Sequence, residues 1–274
     1  MSTDTANLVR LHNALTAALP QAGARQLADG PTADELALEA AFALALQSPL
    51  RSTYAFALRG IAEVEDEDED AVFAWIADRF RNEPAEVAAL VAVLFTYGRR
   101  AFDVGGALGL AEMGLARPFR LTNAALINAL REYASSLTDV DADISLTRTT
   151  AREAARRFWL LRQEGLSTAD IAGAMGVYAT ERATSRSAVV AETESVRVTR
   201  RAMLETYRRN EVTTYEYRTQ NDSSVCMICR PYHRRRFSES DLPLLLTLIP
   251  QHVGCRCYHL PVVEIVPEEV WTGE

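Results

Sequence analysis

All four cysteines of the 274-residue chain lie between Cys226 and Cys257, and they carry its most specific chemistry. Cys226-Met227-Ile228-Cys229 sets two thiols on one side of a knuckle, at a spacing that suits tetrahedral zinc. After 25 intervening residues the chain supplies Cys255-Arg256-Cys257, with His252 three residues ahead and His233 and His259 nearby. A structural zinc takes four donors, so the pattern points to Cys226 and Cys229 with two of His252, Cys255 and Cys257. Two other readings stay open: disulfides formed in oxidising surroundings, and free thiols packed as small hydrophobes. Thioredoxin-type redox chemistry is disfavoured, because C-x-x-C then sits in a βαβ context that this stretch lacks. Metal catalysis is disfavoured too. The zinc deaminases need H-x-E ahead of P-C-x-x-C, whereas here Val225 precedes Cys226, Val253-Gly254 follows His252, and no H-E-x-x-H occurs. A thiolate-rich site without an open position is structural.

Arginine is the second chemical theme. All 29 basic residues are arginine, which a GC-rich genome explains in the main; a need for planar, bidentate partners is the secondary explanation. Residues 1–100 hold 15 acids and 8 arginines, a net of −7, whereas residues 182–236 hold 12 arginines and 6 acids, a net of +6. The overall charge of −8 argues against a general nucleic-acid coat but leaves room for a local surface that meets an anion. Arg234, Arg235 and Arg236 meet no acid in sequence until Glu239, which makes them, with Arg201, the candidates for a phosphate or acidic partner. Arg197, Arg201 and Arg208 share a helix face with Glu194 and Glu205 at spacings of three and four. That face reads first as a solvated, salt-bridged surface and second as a DNA-facing one.

The elements that position these residues are mostly helical. Thr32 and Glu35 form a capping box ahead of Leu36, Leu38, Phe42, Leu44 and Leu46. The acidic run 63–70 reads as a solvated loop feeding a helix over 71–80, its acids favoured by the helix dipole. A calcium site there lacks the glycine turn of an EF-hand. Pro84 suits the first turn of a helix running to Tyr97, after which Gly98, Gly105 and Gly106 read as punctuation. Leu121-Thr122-Asn123 caps a further helix carrying Leu126, Ile127 and Leu130, and a helix over 149–163 ends at Gly165. Ser167 and Asp170 start a short helix with Ile171 and Met175, and a long helix follows over 183–209. Residues 212–217 are β-branched and aromatic and read as a strand, with 260–263 as a closing strand. Phe73, Trp75, Phe80 and Trp159 read as core. Trp271 lies in an acidic tail after Pro267, as a docking anchor or a frayed end.

The expected fold is therefore mainly α, with an N-terminal helical region, a long helix and a small C-terminal α+β module bearing the Cys/His cluster. The expected divisions are 1–104, 105–182, 183–266 and an acidic tail, 267–274. Composition (48% apolar, 24% charged) excludes a disordered, collagen-like or disulfide-dense chain. The longest strongly apolar run, residues 87–97, is 11 residues against the roughly 20 that cross a bilayer. Asp4 precedes Arg10, and His12 and Asn13 interrupt the apolar stretch that follows, so no cleaved leader is expected. A soluble protein folding in the cytoplasm is the expectation.

At the cysteines the chain resembles the phage head-morphogenesis (Mu F-like) minor capsid proteins of tailed bacteriophages. The matching residues are Thr193-Glu194, then Tyr215 and Tyr217, then Asp222, Val225, Cys226 and Cys229. Phe237 follows, then His252, Cys255, Arg256 and Cys257, with Leu260-Pro261 closing. Phe119, Leu121-Thr122-Asn123 and Gly165-Leu166-Ser167 extend the likeness, which covers about residues 105–263. His233-Arg234 stands where the family tends to have Asp-Gly, and Val253-Gly254 replaces Pro-Asn. The first change puts the turn before Phe237 in question; neither touches a candidate ligand. Residues 1–104 match nothing in the family. The resemblance implies a non-enzymatic head component that associates with the portal protein, the major capsid protein or a scaffold, at the portal vertex or in the capsid interior. It implies help in procapsid assembly and a bearing on packaged DNA, with no membrane partner. The residue-level alternative is a zinc-dependent nucleic-acid-acting protein, either a nuclease or a DNA-binding adaptor.

Overall fold

The computed structural model describes residues 31–61, 64, 68–115, 117–219 and 226–262. The readings placed on residues 1–30, on most of the acidic run, on Asp222 and Val225, and on the tail with Trp271 lie outside the described residues. Among those described, the chain is mainly α, with seven helices, one small antiparallel sheet and a Cys/His cluster. It groups into two compact units, the first built from Asp34–Arg100 and Leu121–Ser195, the second from Ala101–Arg120 and the residues from 196 onward.

In the first unit, α1 (Ala33–Leu58) is followed by α2 (Glu69–Asn82), whose N-cap Asp68 accepts a hydrogen bond from the Asp70 amide. The acids do sit at the start of that helix, where the dipole favours them. Val72, Ile76 and Phe80 of α2 pack on Ala151, Ala154, Ala155 and Phe158 of α5 (Leu146–Gln163). Small alanines on one helix admit the large side chains of the other. Phe73 and Trp75 pack partly buried against this core, and Trp159 is half-buried beside Phe158, so only Phe80 of the four expected aromatics is fully in the core. Asn123 caps α4 (Ala124–Ser136) by accepting from the Leu126 amide. Gly165 takes φ 75° just past α5, the left-handed cap that glycine adopts without penalty.

Two helices run further than the sequence suggests. A 3-10 turn (Pro84–Val87) leads into α3, Ala88–Glu112, which passes straight through Gly98, Gly105 and Gly106. Within the second unit, a Cβ at Gly105 would lie 2.1 Å from the Thr199 carbonyl oxygen, and one at Gly106 would lie 2.3 Å from the Phe119 ring. These glycines permit close packing inside a helix and do not end one. Likewise α6 is a single 42-residue helix, Thr168–Arg209, where a short and a long helix were expected. Ser167 caps it through the Asp170 amide as expected. No proline interrupts it, and Gly173 and Gly176 face open space, so they weaken the helix without breaking it.

Beyond α6 the second unit carries β1 (Thr214–Arg218), β2 (Arg236–Ser238), α7 (Leu242–Leu248) and β3 (Tyr258–Pro261). The strands form an antiparallel sheet in the order β2-β1-β3, with Tyr215 paired to Phe237 on one side and Tyr217 to His259 on the other. Tyr215 and Tyr217 alternate into the core with Tyr207, Met203 and Leu245. β2 and α7 were not foreseen, and the closing strand starts two residues earlier than expected.

Candidate metal centre

The sheet brings the cysteines together. β1 ends at Arg218 opposite Tyr258, so Cys257 enters β3 beside the far end of the Tyr217 ring. The knuckle 226–229 closes with the Arg230 amide donating to the Cys226 carbonyl, and the Cys229 amide points at the Cys226 sulfur at 3.3 Å. A second turn closes with the Cys255 amide donating to the His252 carbonyl. These two turns meet. His252 Nε2 lies 3.0 Å from Cys226 Sγ and 3.3 Å from Cys229 Sγ, and Cys229 Sγ lies 3.9 Å from Cys255 Sγ.

Two triads result, Cys226–Cys229–His252 and Cys229–Cys255–Cys257, each with its donor atoms within 4.8 Å of one another, and each can hold a metal ion. Bond lengths of about 2.3 Å to sulfur and about 2.0 Å to nitrogen give tetrahedral edges of about 3.8 Å and about 3.6 Å; the Cys229–Cys255 separation is close to the first, whereas His252 Nε2 sits nearer both sulfurs than the second. All four cysteines are free thiols. His252 is oriented for the role: a carbonyl can only accept, so Nδ1, 2.8 Å from the Val253 oxygen, is the donor, and Nε2 turns a lone pair toward the sulfurs.

The electrostatics favour ionisation of two of the thiols. Burial opposes ionisation of Cys226, but the amides of Cys229 and Ile228, the Cys229 thiol and His252 outweigh it and lower its pKa. A hydrogen bond from the Cys257 thiol is the main influence that brings Cys255 down to about 5 against burial. Burial pushes Cys229 up to about 11. Cys257 is raised, first by its hydrogen bond with Cys255 and then by burial. His252 is raised, first by its bond to the Val253 carbonyl, which burial opposes, and then by Cys255 and Cys226.

The other histidines stand apart. His233 Nδ1 lies 2.7 Å from the Thr219 hydroxyl, in the connection between β1 and β2. His259 is buried edge-to-face against Tyr217, with neither ring nitrogen hydrogen-bonded, and burial followed by Arg200 lowers its pKa to about 3. Two neighbours of the cluster were not anticipated as such. The Tyr217 hydroxyl is buried facing the thiols of Cys257 and Cys229, and Gln251 Oε1 lies 3.8 Å from Cys229 Sγ. The alternation along β1 turns Tyr217 inward, but nothing in the sequence marks Gln251.

The arginines separate into two groups. Arg234, Arg235 and Arg236 are exposed at the turn into β2, and Arg201 is exposed on α6. Arg236 is not without an acid: β1 sets Glu216 directly across from it, 3.8 Å away, and Glu216 also pairs with Arg218. Cross-strand pairing supplies what the linear sequence hides. Arg234, in the turn that the resemblance put in question, adopts φ 63° itself, so the turn forms without a glycine. On α6, Arg208 and Arg209 pair with Glu205. Glu194, however, is buried and accepts from the Tyr133 hydroxyl, so it does not belong to the solvated face expected for it.

No described helix is long and apolar enough to cross a membrane. No curated protein and no solved structure matches the chain. A protein family does: the one described as Phage Mu protein F like protein matches residues 130–260, a narrower span than the resemblance read from the sequence, and one that contains all five candidate ligands. Over those residues the chain is similar to the Phage Mu protein F like family.

Proposed function

We propose that this chain is a minor head-morphogenesis protein of a tailed bacteriophage or prophage-derived particle, with a structural and not a catalytic role. In this reading it joins the portal vertex or the capsid interior during procapsid assembly and aids DNA packaging or exit. The observation that carries the reading is the family match over residues 130–260. The Cys/His cluster supports it: zinc held by Cys226 and Cys229 with two of His252, Cys255 and Cys257 would tie the two cysteine-bearing turns of the second unit together. Met227 and Val253, 86% and 65% exposed, are apolar side chains on the two turns that meet at the cluster, and Arg234 and Arg235 lie exposed in the same unit. Apolar anchors with arginine suit a contact with another head protein.

The test is co-expression with the portal and major capsid proteins of the same phage, followed by sedimentation of the shells. The chain is expected in the shell fraction; a chain left wholly at the top of the gradient as a free monomer contradicts the reading. The second reading, a zinc-dependent protein acting on nucleic acid, draws on the exposed Arg234 and Arg235 and on Arg201. Incubation with supercoiled plasmid and divalent metal separates the two, since a head protein leaves the plasmid intact.

A further inference from the structure

The two triads offer five donors for four positions. His252 reaches both Cys226 and Cys229, and Cys229 reaches Cys255 at a tetrahedral edge. The hydrogen-bonded turn ties His252 to Cys255. Cys257 differs. Its sulfur lies within 4.8 Å of those of Cys229 and Cys255, and the chain passes directly from it into β3, the sheet side of the cluster where Tyr217 is buried.

Resting on the metal reading above, we propose that Cys226, Cys229, His252 and Cys255 hold the ion, and that Cys257 is a positioning residue that donates to the Cys255 sulfur. The ion then has three sulfurs and one nitrogen, with Cys226 and His252 toward solvent and Cys257 and Tyr217 forming the buried wall. A thiol outside the coordination shell explains a five-donor cluster without a five-coordinate metal. It also gives the otherwise unpaired Tyr217 hydroxyl a polar neighbour. Partners in this outer position tune affinity about 10–100-fold without changing the ligand set.

The experiment is cobalt(II) substitution of the full chain, read by the sulfur-to-metal charge-transfer band, which scales with the number of bound thiolates. Wild type and Cys257→Ser are expected to bind one cobalt with the same band intensity, Cys257→Ser about tenfold more weakly in competition with a chelator. Cys255→Ser is expected to lose about one third of the band, as three thiolates become two. The opposite pattern, with the band reduced in Cys257→Ser and intact in Cys255→Ser, overturns the assignment. X-ray absorption on zinc-loaded wild type needs no variant to fold. Three sulfurs and one nitrogen agree with the assignment, whereas four sulfurs or two of each overturn it. A wild-type chain that binds neither metal defeats the metal reading itself, an outcome distinct from a wrong ligand set.

Discussion

At the scale of single residues, the chemistry rests on a few side chains whose partners decide their role. Cys229 belongs to both triads, so Cys229→Ser is expected to abolish metal binding and to lower the melting temperature of the whole chain, as shown by elemental analysis and calorimetry on the same sample. Arg234 holds a left-handed backbone that costs a non-glycine residue about 1–2 kcal/mol. Arg234→Gly should therefore raise stability by up to about 1 kcal/mol in urea unfolding, since glycine's greater freedom when unfolded offsets part of the relief. If the same variant weakens attachment to head shells, the strain is kept for the sake of the side chain; unchanged stability would show that the turn is not strained. The cysteines and His252 were legible in the sequence because metal-ligand spacing is written along the chain. The Glu216–Arg236 pair was not, since it depends on strand register, and β2 is only three residues long. Glu194 was misread for a related reason: helical spacing gives the face, but only the packing of Tyr133 shows that this face is buried.

At the scale of elements, glycine is the informative residue. In α3, Gly105→Ala drives a Cβ into the backbone of α6 at Thr199, which cannot yield as a side-chain end can. A loss of about 1–3 kcal/mol is expected. Gly173→Ala, in an open stretch of α6, should instead gain about 0.5–1 kcal/mol. Chemical denaturation of the pair checks both signs, and equal effects would mean that the contact at Gly105 is not tight. Sequence alone could not distinguish these glycines. A glycine that ends a helix and one that lets two helices touch look the same until the partner helix is known. The helices of the first unit were otherwise legible, because Asn123, Ser167 and Gly165 mark their own ends, whereas the 42-residue length of α6 follows from the absence of any stop signal.

A polar network joins α1, α5 and α6 within the first unit. Tyr54 donates to Glu153, Arg182 pairs with Glu153, and Arg186 reaches Thr150 and Tyr54. Burial opposes ionisation of Glu153, but Arg182 and Tyr54 outweigh it, so its pKa lies below the ordinary 4.5. With the folded value depressed, its stabilisation is complete above pH 4.5 and fades as pH falls through the folded value. Melting temperature against pH should therefore drop more steeply below pH 4.5 in wild type than in Glu153→Gln, and parallel curves would show that Glu153 gains nothing from its partners.

At the scale of the molecule, charge and chemistry are segregated along the chain. The net −7 of residues 1–100 contrasts with the net +6 of residues 182–236, and the cluster, its arginines and the family match all fall in the later part. The family likeness was legible because Cys226, Cys229, His252, Cys255 and Cys257 keep their spacing whatever stands at Arg234 and Val253. The proposed partner surface was less legible, because exposure of Met227 and Val253 follows from the fold and not from their residue types. The physical claim on which the reading of the site turns is that one metal ion closes the second unit. The direct measurement is elemental analysis of the full chain purified under reducing conditions, paired with thiol titration before and after chelation. The account predicts close to one zinc per chain, few reactive thiols before chelation and four after it. A metal-free chain whose fold and melting temperature are indifferent to added zinc would contradict it.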